Sequence, residues 1–266
     1  MMVSYPGGQV IGSLPTNGEY AFVCSDPHTG NVFLTQYDKI LEYVHGGMQP
    51  IATLYPPSKY SQLYGCSIDP TTGNLAVAAV GLKHKNAALL VFTEGGGSAV
   101  PYTAQNVTYY ADAAYDNAGN LFAAADSKKA GQSPLVELPA GRDKIVSITL
   151  NQTLQSSIDK LQWDGVYLSM LVHLSYGEIC QVQLNGTSGT IVGTTHLNKS
   201  AESNTYWIQD GVVLAVYAKQ KAHHNQAIAV WPYPAGGDPT AEYFGITKGA
   251  RDYDISDITV SSPPSF

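Results

Sequence analysis

The sequence has few charged residues. Lys, Arg, Asp and Glu together make up 13% of the 266 residues, which is about half of the usual share. The 14 Lys and Arg residues are scattered along the chain, and the formal net charge is −7 at pH 7. A surface that binds nucleic acid needs clustered basic side chains to neutralise phosphates. The sequence therefore predicts no nucleic-acid partner.

Long hydrophobic runs are also missing. The apolar stretches have the length of β-strands, whereas a membrane-spanning helix needs roughly 20 consecutive apolar residues. Residues 1–8 show neither the basic start nor the apolar centre of a secretory signal peptide. We therefore expect no membrane span, and either a cytoplasmic protein or an exported one whose signal peptide has been removed.

Cysteine is scarce, with only Cys24, Cys66 and Cys180. A small, odd number argues against a framework of disulfides. Cys24 and Cys66 each precede a similar Asp-Pro turn, so we expect them on neighbouring strands. Free cysteine behaves as a small apolar residue and is commonly buried. We therefore favour two buried thiols over a Cys24–Cys66 bridge.

What the sequence does contain is a repeated turn. The text SDPHTGNVFL at 25–34 returns as IDPTTGNLAV at 68–77 and as YDNAGNLFA at 115–123, with shorter copies at 163–168 and 209–214. Aspartate accepts backbone N–H bonds at the start of a turn, and glycine takes a positive φ. Each copy therefore predicts a tight turn between two strands, and its aspartate has a structural role rather than a catalytic one. The turn aspartates are Asp26, Asp69, Asp116, Asp164 and Asp210.

A second series of glycine turns alternates with the first, as in LEYVHGG at 41–47 and VELPAG at 136–141. This series has six copies, and each unit of 43 to 48 residues holds about four strands. Units of this size and content are typical of propeller blades. The chain begins inside one unit and ends inside another. We therefore predict a single all-β domain over residues 1–266, a six-bladed β-propeller whose last blade is closed by both termini.

The blade motifs support this fold through a resemblance. GCSIDPTTGNLAV, DAAYDNAGNLFAA, VELPAG, ITLNQT, LQWDG and WPYPAGG resemble a group of bacterial six-bladed propellers related to the NHL-repeat and SMP-30/gluconolactonase-like superfamily. The resemblance implies an exported protein, extracellular or periplasmic, in its mature form. Lactonases of that superfamily hold a divalent metal with Glu, Asn and Asp from different blades. The Glu-Gly-Pro start of their first blade is missing here, so no catalytic residue is carried over.

Candidate site residues follow from the propeller geometry. The innermost strand of each blade lines the central channel, and its residues before the turn can face a ligand. The predicted ligand-binding residues are Tyr64, Tyr110, Asp112, Lys160 and Tyr206. Oxygen ligands from several blades suit a hard divalent cation such as calcium. The predicted metal ligands are Glu19, Asp112, Asp159, Asn204 and Asp254. The simpler alternative is a hydrated channel in which Lys160 pairs with Asp112 or Asp159.

Two functions remain open at this point. Turn-like repeats and the lack of a complete catalytic set favour a monomeric exported binding or scaffold protein that recognises a small molecule, a glycan or a protein at one channel mouth. The alternative is a metal-dependent lactonase or hydrolase of the SMP-30-like type, acting at the channel mouth through the inward carboxylates.

Overall fold

The computed structural model describes residues 2–14, 21–81, 85–127, 135–154, 157–172, 177–200, 205–218, 226–243 and 255–263. The strands in chain order are β1 (Met2–Val3), β2 (Val10–Gly12), β3 (Phe22–Ser25), β4 (Val32–Thr35), β5 (Ile40–Tyr43), β6 (Ala52–Leu54), β7 (Tyr60–Ile68), β8 (Leu75–Gly81), β9 (Lys85–Phe92), β10 (Val100–Tyr102), β11 (Val107–Tyr115), β12 (Leu121–Ser127), β13 (Leu135–Leu138), β14 (Val146–Ser147), β15 (Thr149–Leu150), β16 (Ile158–Trp163), β17 (Leu168–Val172), β18 (Glu178–Asn185), β19 (Ser188–His196), β20 (Tyr206–Gln209), β21 (Val212–Ala218), β22 (Gln226–Pro232) and β23 (Ala241–Tyr243). None of the helical structure in these ranges is long and apolar enough to cross a membrane.

The strands form five antiparallel blades. Blade 1 is β3–β6, blade 2 is β7–β10, blade 3 is β11–β14, blade 4 is β16–β19 and blade 5 is β20–β23. The short strand β15 adds to blade 4 by pairing in parallel with β19. The first strands of successive blades contact one another, β3 with β7, β7 with β11, β11 with β16 and β16 with β20. These five inner strands therefore surround the centre of the propeller.

The core lies between the blades, as β8 shows. Every residue of Leu75–Gly81 is buried, and successive side chains of a strand point to opposite faces. Val77 and Ala79 pack with Cys24 of blade 1, whereas Ala76 and Ala78 belong to a cluster with blade 3. Strand β8 thus packs against blade 1 with one face and against blade 3 with the other. Its small alanines allow the sheets to approach closely.

The structure confirms the predicted turns. Each turn aspartate lies between the first and second strands of a blade. At Asp69, Oδ1 accepts hydrogen bonds from the backbone N–H and the hydroxyl of Thr71 at 2.8 and 2.7 Å, and Oδ2 accepts from the Thr72 hydroxyl at 2.6 Å. Gly73 closes the turn with a φ of +72°. The repeated aspartates therefore hold the inner hairpins.

The prediction of six blades is wrong, because the strands of the described residues form five. The first copy of the glycine turn, at residues 4–9, closes a separate two-stranded sheet, in which Met2 faces Gly12 and Val3 faces Val10. Residues 255–263 lie in no strand. A glycine turn marks an outer hairpin whether or not two inner strands precede it, so counting these turns gave one blade too many.

Residues 255–263, which we call the C-terminal segment, connect blades 1 and 5. On the blade 1 side, the Ser256 hydroxyl donates to Ala21 O at 2.8 Å, and the Ser25 hydroxyl donates to Val260 O at 2.8 Å. On the blade 5 side, Ile258 is buried against Val216. The C-terminal segment therefore joins the last blade to the first, and it does so as a segment outside any strand instead of as part of a sixth blade.

The expectation of free thiols at Cys24 and Cys66 is also wrong. The two residues form a disulfide with a Cα–Cα distance of 5.6 Å. Cys24 lies two residues before Asp26 and Cys66 lies three residues before Asp69, and the adjacent inner strands β3 and β7 bring their Cα atoms into the range that a disulfide requires. The disulfide therefore connects blades 1 and 2 beside the central channel. Cys180 is free.

Candidate functional site

Three blades place a special residue at the same position of the inner strand, four residues before the turn aspartate. These residues are Gly65 in β7, Asp112 in β11 and Lys160 in β16. In all three strands the pairing register shifts next to this position. A β-bulge turns a side chain away from the regular alternation of the strand. The bulges therefore allow Asp112 and Lys160 to meet at the centre of the propeller.

Asp112, Lys160 and Asp257 form a buried ionic group, which we call the central network. Lys160 Nζ lies 2.8 Å from Asp257 Oδ1, 3.0 Å from Asp257 Oδ2 and 3.7 Å from Asp112 Oδ2. Asp112 and Lys160 are 1% and 4% exposed. Asp112 Oδ2 also accepts a hydrogen bond from Leu161 N at 2.8 Å. Of the two partners that the sequence offered for Lys160, Asp112 and Asp159, the structure places Asp112 at 3.7 Å, but Asp257 is the closer partner and the group is buried rather than hydrated.

Asp257 joins the C-terminal segment to three blades. Its Oδ2 accepts a hydrogen bond from Val23 N of blade 1 at 3.0 Å, and its Oδ1 accepts from the Thr205 hydroxyl, just before blade 5, at 2.6 Å. The ion pair with Lys160 adds blade 4. Asp112 meets blade 2, because a Cβ on Gly65 would lie 1.7 Å from Asp112 Oδ1. The central network therefore contacts all five blades.

The central network carries one cation and two carboxyl groups in a buried place. Burial raises the pKa of Asp112 to about 6, against the lowering influence of Lys160 and with a further rise from Asp257. Burial disfavours the charge of Lys160, but Asp112 and Asp257 outweigh it and hold the Lys160 pKa above its ordinary value. Lys160 therefore stays protonated at neutral pH, and Asp112 is the carboxyl group whose charge burial penalises.

A cavity of ≈ 320 Å³ opens beside the central network at the turn side of the channel. All five inner strands and the C-terminal segment contribute to its wall. The lining residues are Cys24, Ser25, Asp26, Pro27, Cys66, Ser67, Ile68, Pro70, Ala113, Ala114, Tyr115, Asn117, Lys160, Leu161, Gln162, Trp163, Trp207, Gln209, Val260 and Ser262. We call this space the central cavity. It contains the Cys24–Cys66 disulfide in one wall and Lys160 in another.

Several polar groups of the central cavity are already engaged. Gln162 Nε2 donates a hydrogen bond to Ile208 O, and Gln162 Oε1 accepts one from Ile208 N, both at 2.7 Å. Gln209 accepts from Trp207 Nε1 at 3.2 Å and donates to the Ser262 hydroxyl at 3.3 Å. These bonds fix the side chains across the blade 4, blade 5 and C-terminal boundaries, so the wall of the cavity is preformed.

One donor in the wall remains available. The Ser67 hydroxyl accepts from Tyr115 N at 3.0 Å, which leaves its own hydrogen for an acceptor in the cavity. The indole N–H of Trp163 meets no acceptor in the described part of the chain, but its nitrogen is itself buried, so a molecule in the cavity does not reach it.

Of the predicted ligand-binding residues, Lys160 lies in the cavity wall and Asp112 lies behind it. Tyr110 and Tyr206 are 0% and 1% exposed and lie in the packing between blades, so they do not line the cavity. Tyr64 packs edge-on against Tyr109, with ring centroids 4.6 Å apart, and is likewise absent from the cavity wall.

The predicted metal ligands are only partly described. Glu19, Asn204 and Asp254 lie outside the described residues, and Asp159 is half-buried on β16. Asp112 is held by Lys160 and by Leu161 N. In the part of the chain that the structure describes, no three His, Cys, Asp or Glu side chains are grouped so that they could hold a metal ion.

One serine–histidine contact has the spacing of a nucleophile and its base. His45 Nδ1 lies 2.6 Å from Ser261 Oγ, and Ser261 Oγ lies 2.5 Å from Gly30 O. A carbonyl oxygen cannot donate, so the serine hydrogen goes to Gly30 and the histidine donates to the serine oxygen. This polarity is opposite to the one that activates a serine. The contact therefore anchors the C-terminal segment to blade 1.

The sequence-based search missed Asp257 and Gly65. Aligning the repeats on their turn aspartates would have placed Gly65, Asp112 and Lys160 at one position, and the glycine is the signal that a neighbour needs the space. Asp257 belongs to no complete repeat. Its role depends on where the C-terminal segment lies in the ring, and local sequence carries no signal for that.

No protein-family model and no curated protein matches the chain. Solved structures do resemble it, among them the β-propellers U3-55K and a TolB-like protein. U3-55K has a TM-score of 0.59 at 10% identity, over 85% of this chain and 65% of that chain. A putative TolB from Agrobacterium tumefaciens has a TM-score of 0.57 at 13% identity, over 85% and 81%. Hydrazine synthase from Kuenenia stuttgartiensis has a TM-score of 0.57 at 11% identity, over 89% and 68%.

The chain thus spans just under two thirds of the U3-55K chain. At identities of 10% to 13% these likenesses concern the fold alone. Together with the five blades, they establish the chain as an all-β propeller.

Proposed function

We propose that the protein is an exported binding propeller whose ligand occupies the central cavity. The observation that carries this proposal is the composition of the cavity wall, which takes residues from all five blades and from the C-terminal segment. Concave, preformed pockets with a few available polar groups are the usual form of small-molecule sites. The rigid inner strands and the cross-blade bonds of Gln162 and Gln209 supply that preformed shape.

Export is supported by the Cys24–Cys66 disulfide. Stable disulfides form in the periplasm and outside the cell and are rare in reducing compartments. This agrees with the mature exported form that the resemblance to NHL-repeat and SMP-30-like propellers implies. We keep that relationship as a hypothesis about ancestry.

The alternative function, a metal-dependent lactonase, needs Asp112 as a ligand. Asp112 already accepts from Leu161 N and faces Lys160, so a divalent cation would have to displace an ammonium group. We therefore place this function second. Elemental analysis of protein purified without chelator tests it, because a stoichiometric divalent ion that is lost in Asp112→Asn would support the lactonase.

A thermal-shift screen tests the binding proposal. We expect a library of small metabolites and oligosaccharides to contain compounds that raise the Tm of the wild type. The same compounds should fail to raise the Tm of Gln209→Ala, because Gln209 lies in the cavity wall. Gln183→Ala is the matched control, since Gln183 is exposed on β18. The proposal is contradicted if no compound stabilises the wild type, or if every hit stabilises all three proteins equally.

A further inference from the structure

We propose that the central cavity selects an uncharged ring compound that carries hydroxyl or carbonyl oxygens, the chemistry of a neutral sugar unit, and that it discriminates against charged analogues. This inference rests on the proposed binding function and specifies its ligand. It draws on the aromatic side chains of the cavity wall, on its available donor, on its charged residues and on the volume of the space.

The aromatic contribution comes from two neighbouring blades. Trp163 on β16 and Trp207 on β20 both line the central cavity and are only half-buried. Each packs partly into a core, Trp163 with residues of blades 3 and 4 and Trp207 beside Ile258. Rigid indoles offer large contact area at little conformational cost. Two of them on adjacent inner strands favour a ligand with a ring.

The hydrogen-bonding contribution is a donor. The Ser67 hydroxyl accepts from Tyr115 N and keeps its own hydrogen for a ligand. A ligand that satisfies this group must bring an acceptor oxygen. Hydroxyl and carbonyl oxygens do so without adding charge.

The charge balance decides between neutral and ionic ligands. Lys160 and Asp26 are the charged residues among those that line the cavity. The Lys160 ammonium is held by Asp257 and its side chain is 5% exposed, and both oxygens of Asp26 accept hydrogen bonds within its own turn. An ionic ligand would therefore lose its hydration without gaining a free partner of opposite charge, which adds a desolvation cost. A neutral acceptor gains the hydrogen bond and avoids this penalty.

The volume sets the size of the ligand. A cavity of ≈ 320 Å³ is at the lower end of the range of roughly 300 to 1,000 Å³ for small-molecule sites. It suits one ring with its substituents or the end unit of a longer chain.

Tryptophan fluorescence provides the test. Trp163 and Trp207 line the cavity, whereas Trp231 is fully buried in blade 5 and does not, so binding should change the emission of two of the three tryptophans. The probes are N-acetylhexosamines, hexuronates and 2-amino hexoses in the gluco, galacto and manno configurations, titrated at pH 7. We expect saturable binding of at least one neutral compound, at least tenfold tighter than its anionic and cationic analogues.

A variant pair identifies the site. Trp207→Phe should weaken the binding of the neutral compound at least tenfold, and Gln183→Ala should leave it unchanged. Equal or tighter binding of a charged analogue would overturn the inference of neutral selectivity while leaving the binding function intact. The inference is also overturned if none of the neutral probes produces a saturable change in the tryptophan fluorescence. In that case the metabolite screen alone decides the binding function.

Discussion

At the scale of single residues, the centre of the propeller depends on a glycine that makes room for a carboxylate. Gly65, Asp112 and Lys160 hold corresponding positions in three blades. Only the absence of a side chain at Gly65 lets Asp112 reach the centre, where it meets Lys160. Gly65 in blade 2 thus makes room for the ion pair between Asp112 of blade 3 and Lys160 of blade 4.

Gly65→Ala should destabilise the protein by about 1–3 kcal/mol, the usual cost of overpacking a core. The added Cβ would lie 1.7 Å from Asp112 Oδ1 and 3.0 Å from its Cα, so the inner strands must move apart. Gly96→Ala is the control, because its Cβ would meet nothing closer than Thr93 O at 3.9 Å. Urea unfolding measures both variants, and an equal stability of the two would refute the requirement for space at Gly65.

Acidification should stabilise the native state through Asp112. Its folded pKa of about 6 exceeds the ordinary value of 3.8, so the native state binds this proton more tightly than the unfolded chain does. The stabilisation is complete below about pH 4 and is lost as the pH rises through about 6, a change of about 3 kcal/mol at most.

The comparison with Asp112→Asn isolates this effect, because the amide cannot titrate while Lys160 and Asp257 remain. The unfolding free energy of the wild type minus that of Asp112→Asn should fall between pH 4 and pH 6 and stay level above that range. A difference that rises with pH in this window would show that the carboxylate is stabilised by the central network and not penalised by burial.

At the scale of elements, the hairpins and the disulfide hold the blades in place. Each inner hairpin is closed by an aspartate turn, and the Cys24–Cys66 disulfide links the inner strands of two adjacent blades. The turns act within a blade, whereas the disulfide acts between blades.

Asp69→Ala should lower the free energy of unfolding by about 0.5–2 kcal/mol, as the loss of a capping-type hydrogen bond does. Three hydrogen bonds from Thr71 and Thr72 are lost in this turn. Asp38→Ala, at an exposed position between β4 and β5, is the control and should have little effect. Ligand binding should persist in both variants. A stable Asp69→Ala protein that no longer binds its ligand would assign the aspartate a functional role.

Reduction of the disulfide should lower the stability by about 4 kcal/mol, the value for closing a loop of this length, since the two cysteines are 42 residues apart. The measurement is urea unfolding with and without a reductant. The Cys24→Ser/Cys66→Ser double variant should be insensitive to the reductant, and Cys180→Ser should respond like the wild type. An unchanged midpoint for the reduced wild type would argue against a stabilising bridge.

The local parts of this structure could be predicted from the sequence, and the non-local parts could not. The turn at Asp69 follows from repeat spacing, and charge made Asp112 one of two candidate partners for Lys160. The Cys24–Cys66 disulfide and the role of Asp257 depend on how neighbouring repeats and the chain end meet in space. The glycine turn at residues 4–9 looks like a blade turn in sequence, although the structure builds only one hairpin from it.

At the scale of the whole molecule, the ring is closed by the C-terminal segment. Neighbouring inner strands contact each other from blade 1 to blade 5, and the C-terminal segment joins the last blade to the first. Asp257 places a charged hydrogen-bond acceptor at the centre of this closure, with bonds to Val23 N, Thr205 and Lys160. Removing one partner of a buried ion pair typically costs about 3–5 kcal/mol. Loss of the C-terminal segment would therefore open the ring and also leave Lys160 without Asp257.

Truncation of the chain tests this closure most directly. A protein ending at residue 254 lacks the C-terminal segment, leaves Lys160 without Asp257 and exposes the inner edges of blades 1 and 5, which promotes aggregation. A protein ending at residue 263 keeps every described contact of the segment. The measurement is the soluble yield and the thermal melting curve of both proteins. We predict that the shorter protein is insoluble or melts without cooperativity, while the longer one melts like the wild type. A soluble 1–254 protein with a cooperative transition at the wild-type Tm would contradict closure of the ring by the C-terminal segment.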